Sequence, residues 1–193
     1  MIADCTALIL AGGDSRRMGR DKANVQLDHK TLLQHVIAGM EQVFPGVIVS
    51  VRNRREGLDL VQVCDEQTGA GPLAGLVAGM AQIATPWAFV VACDMPYVRP
   101  ELVELLSNYR GTHQAVVPVV DGYPQPLAAF YSAGCVAELR ACLAGGDRSL
   151  RGALQRLDVR YVDEAELSTA DPMMRSFVDL DTPQDLAAAM NGA

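Results

Sequence analysis

The chain reads as an α/β protein with a mixed, mostly parallel sheet, and three observations predict it. Short β-rich runs alternate with stretches of helical spacing along the 193 residues. The first strand carries the apolar run Ala7-Leu8-Ile9-Leu10, as expected where both faces of a strand are covered. Two glycines and a basic cluster follow that run at once, where open α/β sheets hold their ligands.

Each element follows from local chemistry. Residues 6–10 form the first strand. Leu32, Leu33, Val36, Ile37, Met40 and Val43 fall on one stripe and predict a helix over 31–44, ended by Pro45-Gly46. Strands follow at 47–51 and 60–63. Gly71-Pro72 opens a helix over 73–83, with proline suited to a first turn. A central strand over 87–92 ends at Cys93-Asp94. A helix begins at 100–106, and a strand lies at 115–119. The strand at 127–131 should run antiparallel, because Asp121-Gly122 makes a turn too short for a crossover. Helices at 134–143 and 149–157 flank Gly145-Gly146. A last helix spans 183–190, with Thr182 as cap and Asp185 as its partner three residues on. With no repeat, low-complexity segment or interior linker, 1–193 is expected to be a single domain.

Half of the residues are hydrophobic and a fifth are charged, with a formal net charge of −7. That balance speaks against a nucleic-acid-binding surface and makes the basic clusters at Arg16–Lys22 and Arg52–Arg55 stand out. Cys5, Cys64, Cys93, Cys135 and Cys142 are scattered without a C-x-x-C pair, which argues against a disulfide framework or zinc site and for a reducing cytoplasm. Cys93 reads as a small core residue. The first residues lack a cationic, signal-like start, and no apolar run is long enough to span a bilayer. No membrane partner is expected.

The chemistry concentrates in Leu10-Ala11-Gly12-Gly13 and the Arg16, Arg17, Arg20 and Lys22 that follow. Glycine has no Cβ, so backbone N–H groups approach an anion closely and the cations neutralise it. A polyphosphate suits such a loop, although neither G-x-x-x-x-G-K-[ST] nor G-x-G-x-x-G is present. The alternative is a tight strand-to-helix turn with a solvated basic face. Asp94 ends a buried strand, where a carboxylate is costly unless it binds something. Magnesium, which takes one or two carboxylates with phosphate and water oxygens, fits there; the alternative is a turn aspartate capping the next segment.

Asp65, after its own strand, can hold a ribose, a base or a second metal-bound water. Gly71-Pro72-Leu73-Ala74-Gly75 either lets a flat base approach the backbone or simply initiates a helix. Lys22 suits phosphate oxygens as a compact cation, and Arg16 and Arg17 as planar forks. His29, His35 and His113 have no metal spacing, and no nucleophile–base pair emerges. The reaction these residues suit is direct displacement at phosphorus, in which positioning and charge neutralisation dominate. Segments 11–22, 65–75 and 94–96 should therefore converge at one sheet edge.

These residues resemble the molybdenum cofactor guanylyltransferases, within the nucleotide-diphospho-sugar transferase superfamily. The resemblance runs through the opening motif to Asp21-Lys22, then Asp65, Gly71-Pro72-Leu73-Ala74-Gly75 and Cys93-Asp94-Met95-Pro96-Tyr97. It continues in Tyr123…Pro126-Leu127, Gly146-Asp147-Arg148 and Asp181-Thr182-Pro183. It implies a three-layer, Rossmann-like nucleotidyltransferase fold. It also implies that Leu10, Ala11, Gly12 and Gly13 line GTP, that Lys22 contacts its phosphates, and that Asp65 helps to hold the nucleoside. Asp94 would be the magnesium and GTP ligand, Lys22, Asp94 and Arg17 the catalytic set, and Arg148 a residue of the pterin side. The chain departs from the family at Ser50 and Arg52, after the second strand, and at Asp179 and Asp181, where asparagines are frequent.

The expected activity joins GMP from GTP to the terminal phosphate of molybdopterin and releases pyrophosphate, in the cytoplasm and as a monomer. Transient contacts with molybdenum-insertion proteins and molybdoenzyme chaperones are implied. A cytidylyltransferase, a sugar-1-phosphate nucleotidylyltransferase and a non-catalytic nucleotide-binding module are the rival readings.

Overall fold

The computed structural model describes residues 1–12, 21–64 and 71–191. In chain order the strands are β1 (Cys5–Leu10), β2 (Gln26–Leu27), β3 (Lys30–Thr31), β4 (Val47–Val51), β5 (Val61–Cys64), β6 (Trp87–Ala92), β7 (Ala115–Val120), β8 (Tyr123–Pro124), β9 (Ala128–Ser132) and β10 (Val159–Val162). The α-helices are α1 (Leu32–Glu41), α2 (Gly71–Met80), α3 (Pro100–Ser107), α4 (Val136–Ala144), α5 (Leu150–Leu154), α6 (Glu164–Leu167) and α7 (Pro183–Asn191).

The main sheet runs β10-β7-β9-β6-β1-β4-β5, with β8 hairpinned onto β7. β1 sits inside it, parallel to β4 and β6, and its residues from Cys5 to Ile9 are buried. β9 is antiparallel to both β6 and β7, as the short turn at Asp121-Gly122 requires. Both turn residues have positive φ, at 51° and 75°, the backbone of a tight two-residue hairpin.

Alternation along β1 assigns the layers. Ala7 and Ile9 face a core shared with Val36 and Met40 of α1 and Leu102 and Leu106 of α3. Leu8 faces the opposite core, with Leu73 and Leu76 of α2, Leu139 of α4 and Leu150 of α5. A third, smaller cluster joins Val25, Leu27, Leu32 and Leu180 beneath α7. The result is the expected helix–sheet–helix sandwich.

α2 lies close on the sheet because glycines recur at every fourth position. A Cβ on Gly75 would stand 3.0 Å from Ser50 Oγ, and one on Gly79 would stand 2.4 Å from both methyls of Leu8. Gly71 has φ +72°, and a Cβ there would meet the Arg148 carbonyl at 2.8 Å.

Several boundaries differ from expectation. α1 starts with the Thr31 and Gln34 side chains capping each other's backbone N–H groups, but it ends at Glu41 rather than 44. The residue before Pro45 is disfavoured in helix, and residues 42–44 leave through a turn. α2 stops at Met80 instead of 83. α5 is shorter than 149–157, because the chain must cross to β10: Gln114 N donates to Asp158 O at 2.8 Å. β2, β3, β8, β10 and α6 go beyond the sequence expectation; all are four residues or fewer, too short for their periodicity to register.

Candidate active site

β1, β4 and β6 end side by side, with Leu10 in register with Ser50 on one side and Ala92 on the other. Their outgoing segments therefore leave from one edge. There they meet the start of α2 and the β7–β9 connection around a cavity of about 760 Å³. Leu10, Ala11, Gly12, Lys22, Gly71 and Asp94 all line it, so described parts of the three expected segments converge. Gly13, Arg16, Arg17, Arg20 and Asp65 lie outside the described residues.

The floor needs glycine. A Cβ on Gly12 would sit 3.3 Å from the Arg52 backbone nitrogen, so the chain passes flush over the end of β4. Lys22 then opens a single 3₁₀ turn that Asp21 caps by accepting from Ala23 N at 3.1 Å. Arg55 ties this turn to the strand end. It donates to Asp21 Oδ2 at 2.7 Å, to Asn24 Oδ1 at 3.1 Å and to the Ala11 carbonyl at 3.3 Å. In the sequence Arg55 stands out only as part of a basic cluster; its side chain joins Ala11 to Asp21 and Asn24, on either side of residues 13–20.

The Lys22 ammonium donates to Asp94 Oδ2 at 2.9 Å and also to Asp181 Oδ1. Burial works against the charge, but hydrogen bonds to Asp181 and Asp94 outweigh it and hold the lysine above its ordinary range. Asp179 lines the same cavity; burial and then the charges of Asp181 and Asp94 push its carboxyl above the usual range. Asp181 is held there because Leu180 N donates to the Asp94 carbonyl at 2.9 Å. The cap on α7 completes the arrangement, with Thr182 N donating to Asp185 Oδ2 and Asp185 N to Thr182 Oγ1. In the sequence Asp181 stands out as part of the Asp181-Thr182-Pro183 match and as a departure from asparagine, with nothing local to show that it reaches Lys22.

Buried Cys93 is pushed up to about 12 by burial and by the neighbouring Asp94, and this thiol stays protonated as a core residue. Arg148 packs its backbone against Gly71, whereas Arg151, three residues on, lines the cavity. His35 bonds the Leu27 carbonyl at 2.7 Å, joining α1 to the β2–β3 hairpin.

Asp94, Asp179 and Asp181 are the carboxylates this wall offers to a magnesium ion. Among the described residues no three His, Cys, Asp or Glu side chains form a ready metal cage. Asp94 nonetheless offers a hard oxygen at the cavity wall, with a side chain only 15% exposed. One carboxylate suits a cation that keeps waters and shares phosphate oxygens, so the residues fit an ion arriving with a phosphorylated ligand.

Strand order, layering and cavity position define a doubly wound α/β protein with its site at the C-terminal sheet edge, the class that includes the nucleotide-handling folds. Residues 7–161 match the family model of the MobA-like NTP transferase domain. A "Probable molybdenum cofactor guanylyltransferase" of Pelotomaculum thermopropionicum is 34% identical over 186 residues, 95% of this chain and 91% of that protein. The crystal structure of molybdopterin-guanine dinucleotide biosynthesis protein A from Archaeoglobus fulgidus superposes with a TM-score of 0.85 at 29% identity, covering 96% of this chain and 97% of that one. The 2-C-methyl-D-erythritol 4-phosphate cytidylyltransferase of Thermus thermophilus shares the fold, with a TM-score of 0.72 at 20% identity over 96% and 97% of the two chains. The chain belongs to the MobA-like NTP transferase domain family and is a nucleotidyltransferase.

Proposed function

We propose that this nucleotidyltransferase transfers GMP from GTP to the terminal phosphate of molybdopterin, releasing pyrophosphate. The observation that carries the reading is Lys22 held against Asp94 over the Ala11-Gly12 floor of one cavity, in a chain whose relatives are named for that activity. A phosphate oxygen of the acceptor attacks the α-phosphorus and forms a new P–O bond. The bond from that phosphorus to the oxygen bridging the β-phosphate breaks, and its electron pair leaves with pyrophosphate. Both phosphates are already ionised near neutral pH, so no protein base is needed. Lys22 keeps its proton and answers the charge that accumulates around the transferred phosphorus. Magnesium, held by Asp94, would supply Lewis-acid neutralisation of the phosphate oxygens when bound. Gly13 and Arg17 are proposed to join the triphosphate cradle and Asp65 to hold the nucleoside. The protein is proposed to act as a monomer in the cytoplasm.

The test measures pyrophosphate release with magnesium, molybdopterin and each nucleoside triphosphate in turn. GTP is expected to be strongly preferred, and Asp94→Asn is expected to abolish turnover while leaving the fold intact by circular dichroism. A preference for CTP would replace guanylyl with cytidylyl transfer, and full activity in Asp94→Asn would remove Asp94 from the mechanism.

A further inference from the structure

Lys22 and its carboxylates account for one wall of the cavity. A different stretch of the lining, on the sheet face that carries α2 and α5, is built from β8, the 125–127 connection to β9 and the first turn of α5. Here the Arg151 guanidinium lies over the Tyr123 ring, 5.4 Å from its centroid, and both residues line the cavity. Tyr123 is 59% exposed, although a large aromatic ring on a two-residue strand has apolar surface to lose by burial.

The ring is displayed on a stiffened support. The Asp121-Gly122 turn sets the hairpin, and Asp121 N donates to Glu164 Oε1 at 2.6 Å. Gln125 N donates to the Pro118 carbonyl at 2.8 Å and its side-chain amide to the Tyr123 carbonyl at 3.2 Å. Tyr131, buried in the sheet, anchors the connection by donating to the Pro126 carbonyl at 2.9 Å. Arg151 is held on α5, whose cap is Ser149.

The Arg151 guanidinium argues for an anionic guest on this side, where Asp121 in the hairpin turn is the described lining carboxylate. Among the described lining residues the cations are Lys22, Arg52 and Arg151. Lys22 is already matched by Asp94 and Asp181, with Asp179 beside them, and Arg52 belongs to the end of β4 under Gly12. A second phosphate brought toward the first meets mostly carboxylates on the Lys22 wall. Arg151 is the remaining described cation of the lining, with a planar fork suited to phosphate oxygens and a flat ring alongside.

We infer that Arg151 and Tyr123 form the acceptor-side subsite, the guanidinium taking the acceptor's phosphomonoester and the ring stacking on its flat heterocycle. This deepens, and rests on, the guanylyl-transfer reading above. Arg151 positions the attacking phosphate without touching the triphosphate.

The experiment titrates the wild-type protein, Arg151→Met and Tyr123→Leu with GTP·magnesium and, separately, with a pterin carrying a phosphomonoester, by calorimetry. It also measures the acceptor KM where turnover occurs. Loss of one charged hydrogen bond is expected to weaken phosphopterin binding about tenfold or more in Arg151→Met, with GTP affinity changed by less than about twofold. Tyr123→Leu is expected to weaken the phosphopterin and the unphosphorylated pterin alike, whereas Arg151→Met should affect only the phosphorylated one. Unaltered phosphopterin binding in both variants would overturn the subsite. Because the two residues lie on different elements, failure of one variant to fold leaves the other decisive. A wild-type protein that binds phosphopterin through Arg151 but forms no dinucleotide from GTP would sink the activity reading and leave the subsite standing.

Discussion

Lys22 answers to two carboxylates, so its ammonium belongs to a permanent charge network and has no part in proton transfer. Its hydrogen bonds to Asp181 and Asp94 raise its affinity for the proton, and the protonated form prevails throughout the neutral range. The cysteines make a complementary case. Cys64 is exposed on the edge strand β5, whereas Cys5, Cys93, Cys135 and Cys142 are buried. Burial pushes Cys5 and Cys135 up to about 12, so they stay thiols where an ordinary cysteine ionises. A thiol-specific chromogenic reagent is expected to label one cysteine rapidly in the native protein, the exposed Cys64. The other four should react only in denaturant, and a Cys64→Ser variant should lose the fast phase. Fast labelling of two or more sites between pH 7 and 9 would contradict the burial described.

The glycine ladder of α2 decides how deeply the neighbouring cavity is cut. Gly79 abuts Leu8, a strand residue with no exposure and therefore no room to turn aside. Gly79→Ala is expected to cost about 1–3 kcal/mol through overpacking, read as a lower midpoint in urea with an unchanged slope. A neutral result would mean that helix and sheet separate freely. Elements of this length were legible in the sequence: the strands over 47–51 and 87–92 match β4 and β6, and the antiparallel strand followed from the turn before it. The Lys22–Asp94 encounter was legible as two ligand-bearing segments at one sheet edge. Asp181, Arg55 and the Arg151–Tyr123 pair were not. Each works through a side chain that reaches an element distant in sequence, and periodicity carries no information about such reach.

The sheet links both cores through β1, so residues 1–193 are expected to unfold in one cooperative transition followed identically by fluorescence of Trp87 and by circular dichroism. Ligand linkage gives the companion result. At about 100 times its Kd, GTP should add roughly 2.7 kcal/mol and raise the Tm by several degrees, more with magnesium than without it. Two separated transitions would divide the chain into independent units, and no shift with any nucleotide would remove the binding site. The strap from Leu180 to Asp181 carries one more consequence. Lys22 and Asp181 are 159 residues apart in the chain, and Leu180 closes the cluster around Val25, Leu27 and Leu32. During translation Lys22 must wait until Asp181 has left the ribosome before it acquires both counter-ions. A chain stopped short of residues 180–181 therefore carries a half-built pocket, and synthesis past that strap becomes a condition for competence.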